Sequence, residues 1–247
     1  MSYSIESITE SIGARRMGNA PATIDWLLTD SRSLNFPEET LFFALTTKRN
    51  DGARYIADLY ARGVRNFVLS EESFRLMDNG QLTIDNAMQR DDAQSIVNYL
   101  IVPNPLKALQ KLAEQHRNRF QIPVIGITGS NGKTVVKEWL HQLLSPERAI
   151  IRSPRSYNSQ IGVPLSVWQM NEQSELAIFE AGISEPGEMR ALQNIIKPTI
   201  GILTNIGGAH QENFFSLQEK CMEKLTLFKN CDVVIYNGDD EFVSNCV

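Results

Sequence analysis

Long apolar runs are missing from this chain of 247 residues. None approaches the roughly 20 residues of a membrane-crossing helix, so no membrane insertion is expected. The opening residues, Met1-Ser-Tyr-Ser-Ile-Glu6, lack the basic and apolar stretches of a secretory leader, and the expected compartment is the cytoplasm. Cysteine is scarce: Cys221, Cys231 and Cys246 all fall late in the chain without C-x-x-C spacing, which points to buried thiols in a reducing compartment. Positive charge is not in excess. The 24 Lys and Arg against 29 Asp and Glu give a net charge of −5, which argues against a large basic nucleic-acid face. Internal repeats and low-complexity tracts are absent too. What remains is the composition of a globular protein, 42% hydrophobic and 21% charged, long enough for one large or two modest domains.

One stretch organises the rest, Ile122-Pro-Val-Ile-Gly-Ile-Thr-Gly-Ser-Asn-Gly-Lys-Thr134. Its β-branched run (Val124, Ile125, Ile127) reads as a buried strand, Gly129 to Gly132 as a loop, and Lys133 and Thr134 as the opening of a helix. Strand, glycine loop and helix in that order make a phosphate-binding loop. Backbone N–H groups and the positive helix end face an anion, the lysine reaches the outer phosphates, and the threonine hydroxyl meets Mg²⁺. The strict G-x-x-x-x-G-K-[ST] pattern is not met, because Ile127 stands at its first glycine and Gly126 lies one place early.

Around this loop the chain alternates strands and helices. A helix is expected over Ser4–Ile12, closed by Gly13, then strands over Ile24–Leu28 and Thr40–Leu45. A helix over Ala53–Arg62 and strands over Asn66–Leu69 and Ile96–Val102 complete a small α/β region. Pro103-Asn104-Pro105 is the clearest boundary signal. Leu106, Leu109, Leu112, Ala113 and Phe120 then mark a helix ended by Pro123. After the loop, Val136, Leu140, Leu143 and Leu144 form the apolar face of a helix, and Ala149–Ile151 and Leu176–Glu180 are strands. Met189, Leu192, Ile195 and Ile196 stripe a helix with Pro186 in its first turn. Thr199–Thr204 is a strand, Ser216–Phe228 a helix and Val233–Tyr236 the last strand. Parallel strands with crossover helices collect ligands at the strand C-termini, where Gly129, Glu180 and Asn205 fall.

Three residues near those ends carry candidate chemistry. Glu180, closing an apolar strand, is either a carboxylate near Mg²⁺ or a solvated strand end. His210, in a glycine-containing loop, is either a ligand or an ordinary exposed histidine. Lys224 is the odd one. Ser216 and Glu219 form a capping box, and Leu217, Cys221, Leu225 and Phe228 are the helix stripe. Lys224 falls inside that stripe, so it must be paired, modified, or snorkelling to the rim.

Four motifs follow in order: Thr128-Gly-Ser-Asn-Gly-Lys-Thr134, Tyr157-Asn-Ser-Gln-Ile-Gly-Val-Pro164, Glu180-Ala-Gly-Ile-Ser184 with Gly187-Glu-Met189, and Thr204-Asn-Ile-Gly-Gly-Ala-His210. Together they resemble the Mur ligases. Asp30-Ser-Arg32 followed by Leu41-Phe-Phe-Ala-Leu45 is similar to the N-terminal domain of the members that add the third amino acid or the dipeptide. The Gly-Val-Pro and Gly-Glu-Met elements look most like the dipeptide-adding branch. The resemblance implies an α/β architecture, with a small UDP-substrate-binding domain over 1–102 and a central P-loop, ATP-binding domain with a mostly parallel sheet over 103–247. It implies ATP and Mg²⁺ as cofactors, and UDP-N-acetylmuramoyl-tripeptide and D-alanyl-D-alanine as substrates joined through an acyl phosphate in peptidoglycan synthesis.

By the same resemblance Gly129, Ser130, Asn131, Gly132, Lys133, Thr134 and Val135 hold ATP, with Thr134 on a magnesium. Glu180 and His210 bind a second magnesium, placed with help from a carbamylated Lys224; Lys133, His210 and Lys224 form the catalytic group. Ser31, Arg32 and Asn158 face the UDP-linked substrate. Two positions depart from the family pattern: Asp51-Gly52-Ala53 replaces Asp-Gly-His, and Val135 stands where Ser or Thr often follows the loop. The family's third, C-terminal domain is not expected here, so the chain reads as a two-domain fragment that needs that domain to turn over. The alternatives are a ligase adding a single amino acid, a non-ligase phosphate-loop protein such as a GTPase (although no Asn-Lys-x-Asp motif follows the loop), and a module that only binds a UDP-sugar.

Overall fold

The computed structural model describes residues 1–47, 50–78, 96–208 and 213–247, so His210 lies outside the described residues. The chain forms two compact units, Met1–Leu112 and Ala113–Val247. The division falls within the helix Pro105–Arg117, seven residues past the Pro-Asn-Pro signal that the sequence offers.

The first unit opens with the helix Ile5–Ile12, where the Ser4 hydroxyl accepts from the Ser7 N–H and Gly13 closes the end at φ 69°. Ile24–Leu28 is two short strands rather than one. Thr23–Ile24 pairs with Tyr3–Ser4, whereas Trp26–Leu28 joins the main sheet. That sheet has the order Arg15–Met17, Asn98–Val102, Asn66–Ser70, Thr40–Phe43, Trp26–Leu28, parallel except for the first pairing. Phe42, Phe67, Ile56 and Leu59 are at its core.

The second unit is built on a five-stranded parallel sheet in the order Ile150–Arg152, Leu176–Glu180, Val124–Thr128, Ile200–Leu203, Val233–Ile235. Side chains alternate across it as strand geometry demands. Ile125, Ile127, Leu176 and Ile178 meet the helix Lys133–Leu144 on one face, while Val124, Ala177 and Phe179 meet the helix Glu188–Ile196 and its neighbours on the other. Gly126 is a packing residue: a Cβ there would sit 2.8 Å from the Pro198 Cβ. Its partner across the register, Gly201, is likewise pressed against the Phe228 ring.

Several local expectations shift. The helix after Pro105 ends at Arg117, and Phe120 enters the core from the following turn. Pro186 precedes its helix, which starts at Glu188 behind Gly187 at φ 85°. The Ser216–Phe228 segment is an α-helix over Leu217–Leu225 followed by a tighter turn. Its capping box is offset: Ser216 accepts from the Glu219 N–H, but the Glu219 carboxylate accepts from Phe215 rather than from Ser216. Leu143 faces outward, 74% exposed, while Lys137 on the same helix is fully buried. Among the described residues no helix is long and apolar enough to cross a membrane.

Candidate nucleotide-phosphate and cation site

Every strand of the parallel sheet points its C-terminal end the same way, and the loop after Val124–Thr128 sits between the ends of its two neighbours. Gly129 has φ 142°, and a Cβ there would lie 2.0 Å from the Thr204 hydroxyl, so only glycine fits. Gly132, at φ 80°, turns the chain into the helix Lys133–Leu144. Asn205 clamps the loop, its carbonyl accepting from the Ser130 N–H and its side chain from the Asn131 N–H, both at 2.9 Å. The N–H groups of the first helical turn, Lys133 to Val135, have no carbonyl one turn earlier in the helix to bond to, so they and the positive end of the helix dipole are available to an anion.

Two lysines converge on this loop and a third on the loop beside it. The Lys133 ammonium lies 2.9 Å from the Gly129 carbonyl and the Lys224 ammonium 3.2 Å from the same oxygen, while Lys220 donates to the Gly207 carbonyl. Lys224 is buried, as its place in the helix stripe allows, and so is Lys220 one turn earlier. Burial, then the neighbouring Lys133 and Lys220 cations, push the Lys224 amine down to about 8. Burial also lowers Lys133, with Glu180 opposing it.

The carboxylate end of the site is Glu180, fully buried at its strand end. Its Oε2 accepts from the Thr134 hydroxyl at 3.0 Å and from the Asn158 amide at 3.4 Å. Its Oε1 has no hydrogen bond and instead lies 2.9 Å from the Lys137 ammonium, an ionic contact without hydrogen-bond alignment. A carboxylate and a hydroxyl within 3.0 Å of each other are hard oxygen donors. They fit Mg²⁺, which takes one or two protein oxygens and completes its shell with water and phosphate. Among the described residues no cluster of three or more His, Cys, Asp or Glu forms a protein-only cage, as that mode of binding allows.

Of the residues singled out from the sequence, Gly129 to Thr134, Glu180, Asn158 and Lys224 meet around this one loop. The Val135 side chain is half exposed. Ser31 and Arg32 belong to the first unit, in a short turn where Asp30 caps the Arg32 N–H and pairs with its guanidinium at 2.7 Å. Asn158 belongs to the second unit, beside the acid. Sequence reasoning missed Lys137, Lys220 and the clamp made by Asn205. The first two had a signal: each falls near a helix stripe, as Lys224 does.

Residues 127–247 match the description "Mur ligase middle domain". The "UDP-N-acetylmuramoyl-tripeptide--D-alanyl-D-alanine ligase" of Borreliella burgdorferi is 32% identical over 227 residues, 91% of this chain and 47% of that protein. The chain belongs to the Mur ligase family. It spans about half the length of the curated Mur ligase relatives it matches. In fold it is similar to a crystal structure of MurF from Acinetobacter baumannii, with TM-score 0.83 at 23% identity over 100% of this chain and 51% of that one. It is also similar to the MurF ligase of Thermotoga maritima in complex with ADP, with TM-score 0.70 at 25% identity over 89% of this chain and 47% of that one.

Proposed function

We propose that this chain is the substrate- and ATP-binding part of a MurF-type ligase, which joins D-alanyl-D-alanine to UDP-N-acetylmuramoyl-tripeptide in peptidoglycan synthesis. Residues 1–102 bind the UDP-linked substrate, with Ser31 and Arg32 in that role, and residues 103–247 bind ATP. The complete reaction takes the rest of the full-length chain, and its compartment is the cytoplasm. The observation that carries the reading is the meeting of Lys133, Thr134, Glu180 and Lys224 around one glycine loop.

A carboxylate is a poor electrophile, and the reaction overcomes this by phosphorylation. A substrate carboxylate oxygen attacks the γ-phosphorus of ATP, and ADP leaves. The amine of D-alanyl-D-alanine then attacks the acyl phosphate carbon, and the tetrahedral intermediate collapses with loss of phosphate and a proton. In this scheme the first-turn N–H groups and Lys133 hold the phosphates and offset charge that builds on the transferred group. Thr134 and Glu180 would hold Mg²⁺, with His210 expected beside them, and such an ion would supply positive charge that offsets the phosphates as the carboxylate approaches. The lowered Lys224 amine is suited to take up CO₂. The ammonium first gives up a proton, the neutral nitrogen then bonds to the CO₂ carbon as a C–O π pair moves onto oxygen, and a second proton leaves, so that one of three clustered cations would become an anion able to face a metal.

The test is substrate choice by the full-length protein. With ATP and the UDP-linked tripeptide, D-alanyl-D-alanine should give an amide product and stoichiometric phosphate. Addition of a free diamino acid to the UDP-linked dipeptide instead would move the chain to the branch that adds a single amino acid. No product with either would rule out the ligase reading.

A further inference from the structure

Lys137 is the one lysine of the phosphate-loop helix with no exposure at all, and nothing in the mechanism above uses it. Its position is unusual for what the helix leaves out. On a helical wheel Leu143 and Lys137 lie about 60° to either side of Leu140. The helix is rolled so that the lysine faces inward and the leucine stands in solvent, opposite to what apolar burial favours. The inward ammonium is fully engaged. It meets Glu180 Oε1 at 2.9 Å, Glu138 at 3.1 Å and the Ser153 carbonyl at 2.8 Å, and it also donates to the Arg155 carbonyl.

These contacts reach two parts of the cation site at once. One is the Glu180 carboxylate, whose Oε1 is turned toward Lys137 and whose Oε2 is left toward Thr134 and Asn158. The other is the loop after Ile150–Arg152, which carries Ser156, with its hydroxyl 3.2 Å from that of Thr134, and Asn158. Arg155 in this loop is held at φ 49°, a left-handed conformation that a non-glycine residue keeps only when its surroundings fix it.

We propose that Lys137 is a positioning residue for the divalent cation: it holds Glu180 so that a single oxygen, Oε2, faces the site shared with Thr134, and it fixes the 153–158 loop around that site. The inference rests on the ATP-and-Mg²⁺ reading of the loop and deepens it.

Positioning and plain electrostatics predict opposite signs. A lysine acting only as a nearby charge repels a divalent cation, so removing it should tighten metal binding. A lysine that aims the carboxylate should weaken metal binding when lost. The experiment measures Mn²⁺ binding to the ADP complex by electron paramagnetic resonance, and ADP binding in EDTA by calorimetry, for the native protein, Lys137→Met and Lys137→Arg. Expected are about tenfold weaker Mn²⁺ binding for Lys137→Met, a smaller loss for Lys137→Arg, and metal-free ADP affinity unchanged. Native or tighter Mn²⁺ binding by a folded Lys137→Met overturns the proposal. If Lys137→Met does not fold, Lys137→Arg decides: its guanidinium keeps the charge but cannot reproduce the ammonium's geometry, so a roughly threefold loss supports positioning and native affinity overturns it. A native protein that takes no ADP brings down the nucleotide reading itself, and this inference with it; native binding with undisturbed variants brings down the positioning role alone.

Discussion

At the scale of single residues the site depends on groups that have no freedom to be anything else. Gly129 combines φ 142° with a Cβ position 2.0 Å from the Thr204 hydroxyl, so Gly129→Ala must displace either the loop or the end of the next strand. A loss of a few kcal/mol in urea unfolding is expected, from backbone strain of about 1–3 kcal/mol plus the clash. Lys224 makes a chemical prediction. With its amine near 8, ¹³C-bicarbonate should give a carbamate resonance in the native protein that is lost in Lys224→Ala. A spectrum that does not distinguish the two would remove the carbamate from the account. His116 makes a pH prediction away from the site. Burial pushes its ring down to about 4, partly opposed by the Met170 carbonyl 3.0 Å from Nε2. The unfolded ring protonates near 6.5, so between those values the unfolded chain binds the extra proton. The stability present above pH 6.5 is therefore lost on acidification toward 4, to a limit of about 3 kcal/mol. His116→Gln should flatten that limb of the pH–stability curve.

At the scale of elements, the two functional helices were read from the sequence with different success, for one reason. In Leu217–Leu225 the apolar stripe is broken by lysine; the stripe puts Lys224 at a core-facing position with snorkelling to the rim left open, and the structure buries it. In Lys133–Leu144 the same argument put Leu143 inside, because leucine outranks lysine on any scale of burial. The buried carboxylate of Glu180 shifts the preference at one edge of the stripe: Val136, Leu140 and Leu144 still pack on the sheet, and the ion pair between two fully buried side chains brings in Lys137 where Leu143 is left out. Lys137→Met should therefore destabilise the second unit by about 3–5 kcal/mol, since it leaves a buried carboxylate uncompensated, and Glu180→Gln in that background should restore part of the loss. The caps are smaller levers. Ser216→Ala removes the acceptor for the Glu219 N–H and should cost about 1 kcal/mol.

At the scale of the whole molecule, the parallel sheet and its loop were legible because β-branched runs, glycines and helix stripes report local rules that the fold obeys. The organisation of the site was legible only where one motif contains it. The strand, glycine loop and helix around Gly129 to Thr134 could be read from a local pattern, whereas the Asn205 clamp and the Lys137–Glu180 pair join residues 74 and 43 positions apart, which no periodicity encodes. Gly126, one place before the motif's first glycine position, is held to glycine by its close approach to Pro198. The central claim, that this loop holds the phosphates of a nucleotide with its cation, is tested most directly by calorimetric titration of the protein with Mg·ATP against Lys133→Ala. The account predicts saturable binding to the native protein and at least tenfold weaker binding to the variant. Equal binding by both would contradict it.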